Sequence, residues 1–120
     1  MRLLTRFGIV CGMVLAALSV AGPSVAQLDI PWTWNSNDYD AAGEFKATGE
    51  HFYGADHHGG GYLDWSANGY GSSRWTIPGS SGTIYDLNLD LAEGRPVSMQ
   101  LCQLHTAFPD DCSATKWGVS

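Results

Sequence analysis

Two cysteines near the end of the chain, Cys102 and Cys112, place the tightest constraint on how it can fold. They are the two cysteines left once a predicted export signal is removed, so they allow a single intramolecular pairing. A bond between them closes a loop of about 11 residues and contributes roughly 2–3 kcal/mol in the chain-entropy description. We therefore predict a hairpin of two strands, residues 95–104 and 112–118, stapled by this disulfide.

The alternation in the first of these strands predicts which side of the hairpin faces the core. Val97, Met99 and Leu101 share one face, and Cys102 belongs to the opposite face. If Cys102 stands across from Cys112, the register places Val97 opposite Trp117. The sequence thus predicts Trp117 on the core side and the disulfide on the outer side.

The beginning of the chain is typical of a secretory signal peptide. A short basic region precedes an apolar run over residues 7–20, and residues 24–26 have the small-x-small pattern of a cleavage site. We expect cleavage after Ala26, with Ala21 as the alternative. The apolar run of about 14 residues is shorter than the roughly 20 needed to span a membrane. A secreted protein without a stable membrane anchor is expected.

Charge limits the partners of the exported chain. Removing Arg2 and Arg6 from the six basic residues leaves four against twelve acids, a net charge of about −8. Nucleic acid and anionic membranes need a basic surface, so neither is expected as a partner. Disulfides persist outside the cell, which agrees with secretion.

Short strands separated by turn residues indicate an all-β fold. The clearest strand covers residues 83–91, where Tyr85, Leu87 and Leu89 alternate with polar neighbours. No segment has a helical apolar period over three turns. We predict a small antiparallel β-sandwich or barrel-like domain over residues 43–120, preceded by the signal peptide over 1–26.

Residues 27–42 show no clean period and predict a flexible N-terminal arm with room for a short edge strand. Pro31 restricts such a strand to a sheet edge. Trp32 and Trp34 are unusual in an arm, and the simplest interpretation is that they fold back onto the sheet.

The surplus of aromatic residues suggests a binding function. Rings beside glycine-rich turns can stack on a sugar while polar neighbours bind its hydroxyls. The candidate ligand-binding residues are Tyr62, Asp64, Trp65, Asn68 and Tyr70. The alternative is that Trp65 and Trp75 are core residues and the tyrosines are interfacial.

Asp56, His57 and His58 form the most conspicuous polar cluster and are candidate metal ligands. Adjacent strand residues point to opposite faces, so the two histidines can share an ion only from an irregular loop. The alternative is a solvated polar loop, and no cofactor is expected.

Two other functional classes remain open. The loop over residues 103–111, tied at its base, has the form of a proteinase-inhibitor loop. A small hydrolase is the third alternative, although no serine lies in a G-x-S-x-G elbow and oxidised cysteines offer no thiolate. We expect a monomeric, non-catalytic extracellular module that binds a polysaccharide or a protein.

The end of the chain resembles a group of small secreted actinobacterial proteins. The residues that carry the resemblance are 87–94, 97–102, Cys112-Ser113 and Trp117-Gly118, with Glu44-Phe45, Gly49-Glu50 and Asp56 at the front. The resemblance implies a compact β-sandwich with one C-terminal disulfide and implies no activity. The segment from His57 to the three glycines departs from the pattern of the group.

Overall fold

The computed structural model describes residues 26–36 and 38–120, and the predicted signal peptide lies almost wholly outside them. The protein is all-β, with two antiparallel sheets. The strands are β1 (Ile30–Trp34), β2 (Ala41–Lys46), β3 (His51–Asp56), β4 (Gly61–Ala67), β5 (Gly71–Thr76), β6 (Tyr85–Asn88), β7 (Pro96–Gln103), β8 (Asp111–Cys112) and β9 (Lys116–Val119). One sheet has the order β1-β2-β3-β6. The other has the order β5-β4-β7-β8, with β9 also paired to β7.

The core lies between the inner faces of the two sheets. Phe45 and Phe52, paired across β2 and β3, contact each other with ring centroids 4.9 Å apart and ring planes tilted by 43°, and they form the centre of the first sheet's inner face. Phe52 also meets Trp65 of the second sheet at 5.9 Å. Leu63 and Leu101, paired across β4 and β7, are fully buried opposite them. The predicted sandwich is therefore confirmed. In the described part of the chain, no helix has the length and apolar character to cross a membrane.

The segment predicted as an arm is part of the sandwich. β1 pairs antiparallel with β2, and Ile30 is a fully buried member of the core. The register shifts between Ile30 and Thr33, where Pro31 lacks the N–H that a regular ladder needs. β2 begins at Ala41, so the domain boundary drawn at residue 43 falls inside a strand.

Two of the turns contain residues with positive φ angles. β2 and β3 form a hairpin whose turn contains Gly49 and Glu50, with φ angles of 79° and 53°. Asn68-Gly69 turns the chain between β4 and β5, with Gly69 at φ 88°. The strand predicted over 83–91 is regular only in β6, although its inward-outward alternation is as predicted.

A bulge between β8 and β9 corrects the predicted face of Trp117. Cys102 pairs with Cys112, but Met99 pairs with Lys116 and Ser98 pairs with Trp117. The β9 side therefore has one extra residue, and an extra residue exchanges the two faces of a strand. Trp117 points outward and is 63% exposed. The predicted pairing of Val97 with Trp117 is wrong, and Gly118 stands opposite Val97.

Hydrogen bonds around Ser113 hold this bulge. The Leu101 N–H donates to Ser113 Oγ at 3.1 Å, and the Ser113 N–H donates to Leu101 O at 2.8 Å. The Gln100 side chain donates to Ser113 O at 2.9 Å. The extra residue thus follows a segment whose polar groups are satisfied.

The disulfide Cys102–Cys112 is present on the outer side of the second sheet. Cys102 stands beside Tyr62 across the β4–β7 ladder and is 1% exposed, whereas Cys112 is exposed. The bond therefore clamps the short strand β8 to β7 from outside the core. Its presence is compatible with an oxidising, extracellular setting.

Candidate functional site

The outer face of the second sheet presents its side chains in rows that run across the strands. Strand register places Ser72, Ser66 and Ser98 side by side on β5, β4 and β7, with Trp117 of β9 at the end. We call these four residues the serine row. Ser66 and Ser98 share a hydrogen bond between their hydroxyl groups. Small side chains thus lie along the middle of the sheet face.

A second row of larger polar side chains lies next to the serine row. Arg74, Asp64 and Gln100 are neighbours in register on β5, β4 and β7. Because these side chains are longer than serine, they stand above the serine row along one side. Arg74 donates from Nε to Asp64 Oδ1 at 2.7 Å and from Nη2 to Asp64 Oδ2 at 3.1 Å. This forked contact fixes both side chains.

The difference in height creates an open groove along the serine row. One depression of about 440 Å³ is lined by Asp64, Arg74 and Gln100 with the serines. An adjoining depression of about 530 Å³ shares Ser66 and Ser72 and extends to Trp117. We call the two together the groove. Hydroxyl groups, one ion pair and one exposed indole are available to a ligand there.

Tyr62 supports the charged part of the groove from below. The Arg74 guanidinium lies 3.9 Å from the centre of the Tyr62 ring, and the Tyr62 hydroxyl donates to Asp110 Oδ2 at 2.5 Å. Burial and this hydrogen bond raise the pKa of Tyr62 to about 12. The hydrogen bond to Asp64 raises the pKa of Arg74 above its usual value. Both groups keep their protons under all physiological conditions.

The five predicted ligand-binding residues are divided among different surroundings. Asp64 lines the first depression and Asn68 lines the second. Trp65 also lines the first depression and packs on the core through Phe52, whereas Tyr62 is only 4% exposed. Tyr70 is exposed, and its hydroxyl accepts a hydrogen bond from the Ala92 N–H. The structure therefore does not form one aromatic platform from Tyr62, Trp65 and Tyr70.

Trp117 is the groove residue that the sequence pattern misplaced. Strict alternation from Cys112 predicts it in the core, and only knowledge of the bulge at Ser113 places it outside. The signal that could have found it is the following Gly118. An added Cβ there would lie 2.5 Å from Leu28 O and 2.9 Å from Ile30 Cγ1, so the crowded inner position suits glycine.

The candidate metal ligands Asp56, His57 and His58 have separate surroundings. Asp56 is 1% exposed, and its carboxylate accepts the N–H groups of His58 at 3.0 Å and Gly61 at 2.7 Å. His57 stacks on Trp34 with ring centroids 5.7 Å apart, and His58 is exposed. In this arrangement Asp56 closes the loop between β3 and β4.

A different group brings possible metal ligands together. Within the described residues, Asp38, His105 and Asp111 have ligand atoms that all lie within 4.8 Å of one another. The carboxyl of Asp111 faces that of Asp38 and raises its pKa. Asp111 also accepts hydrogen bonds from Ser36 and, at 3.2 Å, from Asn35. These contacts join the β1–β2 connection to the loop over residues 103–111, which the disulfide closes.

The aromatic residues of β1 cover the outside of the first sheet. Trp34 meets Trp32 and Tyr39 edge-on, with centroids 6.4 and 5.5 Å apart, and stacks on His57. Ala42 pairs with Trp34 and Ala55 pairs with Ala42. Both alanines are buried on an outward face, which requires a cover such as this cluster. Trp32 and Tyr39 remain exposed at its rim.

The loop predicted for an inhibitor is held at both ends. Gln103 is buried and pairs with Asp111, while Asp110 accepts the Tyr62 hydroxyl. Between these ends Leu104 and Phe108 are 54% and 76% exposed. The loop therefore presents apolar side chains on a braced base.

No protein-family model, curated protein or solved structure matches this chain significantly. The resemblance to the actinobacterial group stays a prediction.

Proposed function

We propose that the protein is a secreted, monomeric, non-catalytic module that binds extracellular glycans in the groove. The observation that carries the proposal is the serine row ending at an exposed Trp117. An indole can stack on the C–H face of a sugar ring, and the hydroxyl and carboxylate groups beside it can bind the sugar hydroxyls.

The rigidity of the groove supports the same function. Its floor is formed by three strands paired along their length, and its side is fixed by the ion pair between Asp64 and Arg74. A site on regular strands loses little conformational entropy when a ligand binds. Such a surface suits binding without a chemical step.

The test is retention of the protein on insoluble polysaccharides and cell walls. The unmodified protein and the Trp117→Ala variant are compared, and Trp32→Ala serves as the matched control because Trp32 is an exposed tryptophan of the other sheet. We expect retention by the unmodified protein and the control, and its loss in Trp117→Ala. Equal retention of all three proteins, or of none, would refute glycan binding in the groove.

A proteinase inhibitor is the second candidate, and the exposure of Phe108 in the braced loop is the observation that favours it. This proposal predicts inhibition of a proteinase that accepts an aromatic residue in its specificity pocket. Phe108→Ala should abolish the inhibition, whereas Trp117→Ala should leave it unchanged. A panel of extracellular proteinases that all remain fully active would remove this candidate.

A further inference from the structure

The groove has a feature that bears on the class of glycan it takes. Among the described residues that line it, the charged side chains are Asp64 and Arg74, which neutralise each other. A ligand in the groove therefore meets hydroxyl groups, an amide, an indole and a neutral ion pair.

The surrounding protein has a strongly negative charge. Residues 26–120 have four basic and twelve acidic side chains. Such a field repels polyanions over distances comparable to the Debye length. Arg74, the cation among the described residues that line the groove, donates to Asp64 in a forked contact at 2.7 and 3.1 Å, so its charge is already paired.

The direction of the groove bears on the length of the ligand. The serine row runs from Trp117 on β9 across β7 and β4 to Ser72 on β5, which spans three interstrand spacings, or roughly 14 Å. A pyranose ring is about as long as one spacing. The row therefore offers room for about three consecutive sugars laid across the strands.

We infer that the groove binds an uncharged, linear polysaccharide, with one sugar stacked on Trp117 and the chain crossing the strands along the serine row. This inference rests on the proposed glycan binding and adds the ligand's charge, shape and orientation. Cell-wall polymers with carboxylate or phosphate groups are excluded by it.

Isothermal titration calorimetry with oligosaccharides from disaccharide to hexasaccharide tests the inference. The probes are neutral gluco-, xylo- and N-acetylchito-oligosaccharides, and oligogalacturonate is the anionic arm. We expect affinity for a neutral series to rise until about three sugars and then to level off. Trp117→Ala should weaken binding at every length by about tenfold or more, and Trp32→Ala should not.

Two further variants test separately the inferred charge of the ligand and the number of sugars that the groove holds. Asp64→Asn frees the Arg74 cation, so it should create salt-dependent binding of oligogalacturonate that the unmodified protein lacks. Ser72→Leu fills the far end of the row on an exposed edge strand, so it should remove the gain in affinity that comes from the third sugar. Circular dichroism checks that both variants are folded.

The outcomes distinguish the proposed glycan binding from the inferred charge and orientation of the glycan. If the unmodified protein binds oligogalacturonate as tightly as neutral chains, with Trp117 required, glycan binding stands and the inference about charge fails. If affinity is independent of chain length or unaffected by Ser72→Leu, the inferred orientation fails. If no oligosaccharide of any charge binds, the proposed function fails as well.

Discussion

Ser98 faces Trp117 directly across the β7–β9 ladder, on the outer side of the second sheet. This pairing exists because the chain has one extra residue between Ser113 and Lys116, which turns the indole away from the core. The inner position goes to Gly118, which packs under β1. One local irregularity thus determines both the exposed ring and the way β1 closes the sandwich.

Replacing Gly118 with alanine should destabilise the protein by roughly 1–3 kcal/mol, a usual cost of overpacking. The added Cβ would lie 2.5 Å from Leu28 O, and backbone cannot rotate away as a side chain can. Urea unfolding followed by circular dichroism measures the loss. Lys116→Ala, at an exposed position of the same strand, is the control and should change the free energy of unfolding by less than about 0.5 kcal/mol. Equal stability of the two variants would contradict the tight packing described for Gly118.

Tyr62 should ionise at a higher pH than an ordinary tyrosine, because burial and the hydrogen bond to Asp110 raise its pKa. Its folded-state pKa of about 12 lies above the usual tyrosine value of 10.0, so its contribution to stability is complete below pH 10.0 and is lost as the pH passes about 12. Ultraviolet absorption of tyrosinate measures the titration. Tyr62→Phe should remove that late step and, by removing a hydrogen bond, lower the free energy of unfolding at neutral pH by about 1 kcal/mol. An unchanged late step in this variant would assign it to another tyrosine.

Asp38→Asn should raise the melting temperature at neutral pH. Contact with the Asp111 carboxyl raises the pKa of Asp38 above 3.8. The stabilisation that comes from the protonated Asp38 carboxyl is fully present below pH 3.8 and is lost as the pH rises through the folded-state pKa. At pH 7 both carboxyls are charged, and their contact is unfavourable. Calorimetry should show a gain that shrinks in acid and in concentrated salt.

Asp111→Asn is the matched contrast to that variant. The Asp111 carboxylate also accepts hydrogen bonds from Ser36 and Asn35, and Asn35 is fully buried. Both hydrogen bonds go to Asp111 Oδ2, and a neutral amide oxygen accepts them less strongly than a carboxylate oxygen, so no gain is expected. Stabilisation by Asp111→Asn as large as by Asp38→Asn would show that charge alone governs this cluster.

Reducing the disulfide should lower the free energy of unfolding by about 2–3 kcal/mol and leave the β-sheet signal intact. β8 has two residues and depends on the bond to stay paired, whereas the apolar face of β7 is held by the core. Circular dichroism with and without reductant measures both effects. Cys102→Ala/Cys112→Ala should behave like the reduced protein. Complete loss of β signal on reduction would show that the bond holds the sheet together.

The regular strands could be predicted from the sequence because alternation reports directly on burial. Val97 and Met99 alternate with Ser98 and Gln100 and are both fully buried, and the paired cysteines are linked as expected. Of the predicted ligand-binding residues, Asp64, Trp65 and Asn68 line the groove, and their role in binding stays a prediction.

Other parts depend on contacts between distant segments and could not be predicted. Trp65 and Trp117 are both tryptophans within strands, yet one packs on Phe52 and the other is exposed because of a bulge. The proximity of Asp38 to Asp111 arises when the β1–β2 connection meets the disulfide loop. The hydrophobic pattern within either segment does not predict that these two residues lie close together.

The bulge after Ser113 depends on the number of residues between Cys112 and Trp117. Four residues separate Cys112 from Trp117. A chain with the same tryptophan but one residue fewer in this interval would return the indole to the interior and leave the end of the groove bare. Spacing in this interval, rather than residue identity, therefore determines whether a chain with this fold presents the indole on the outer face.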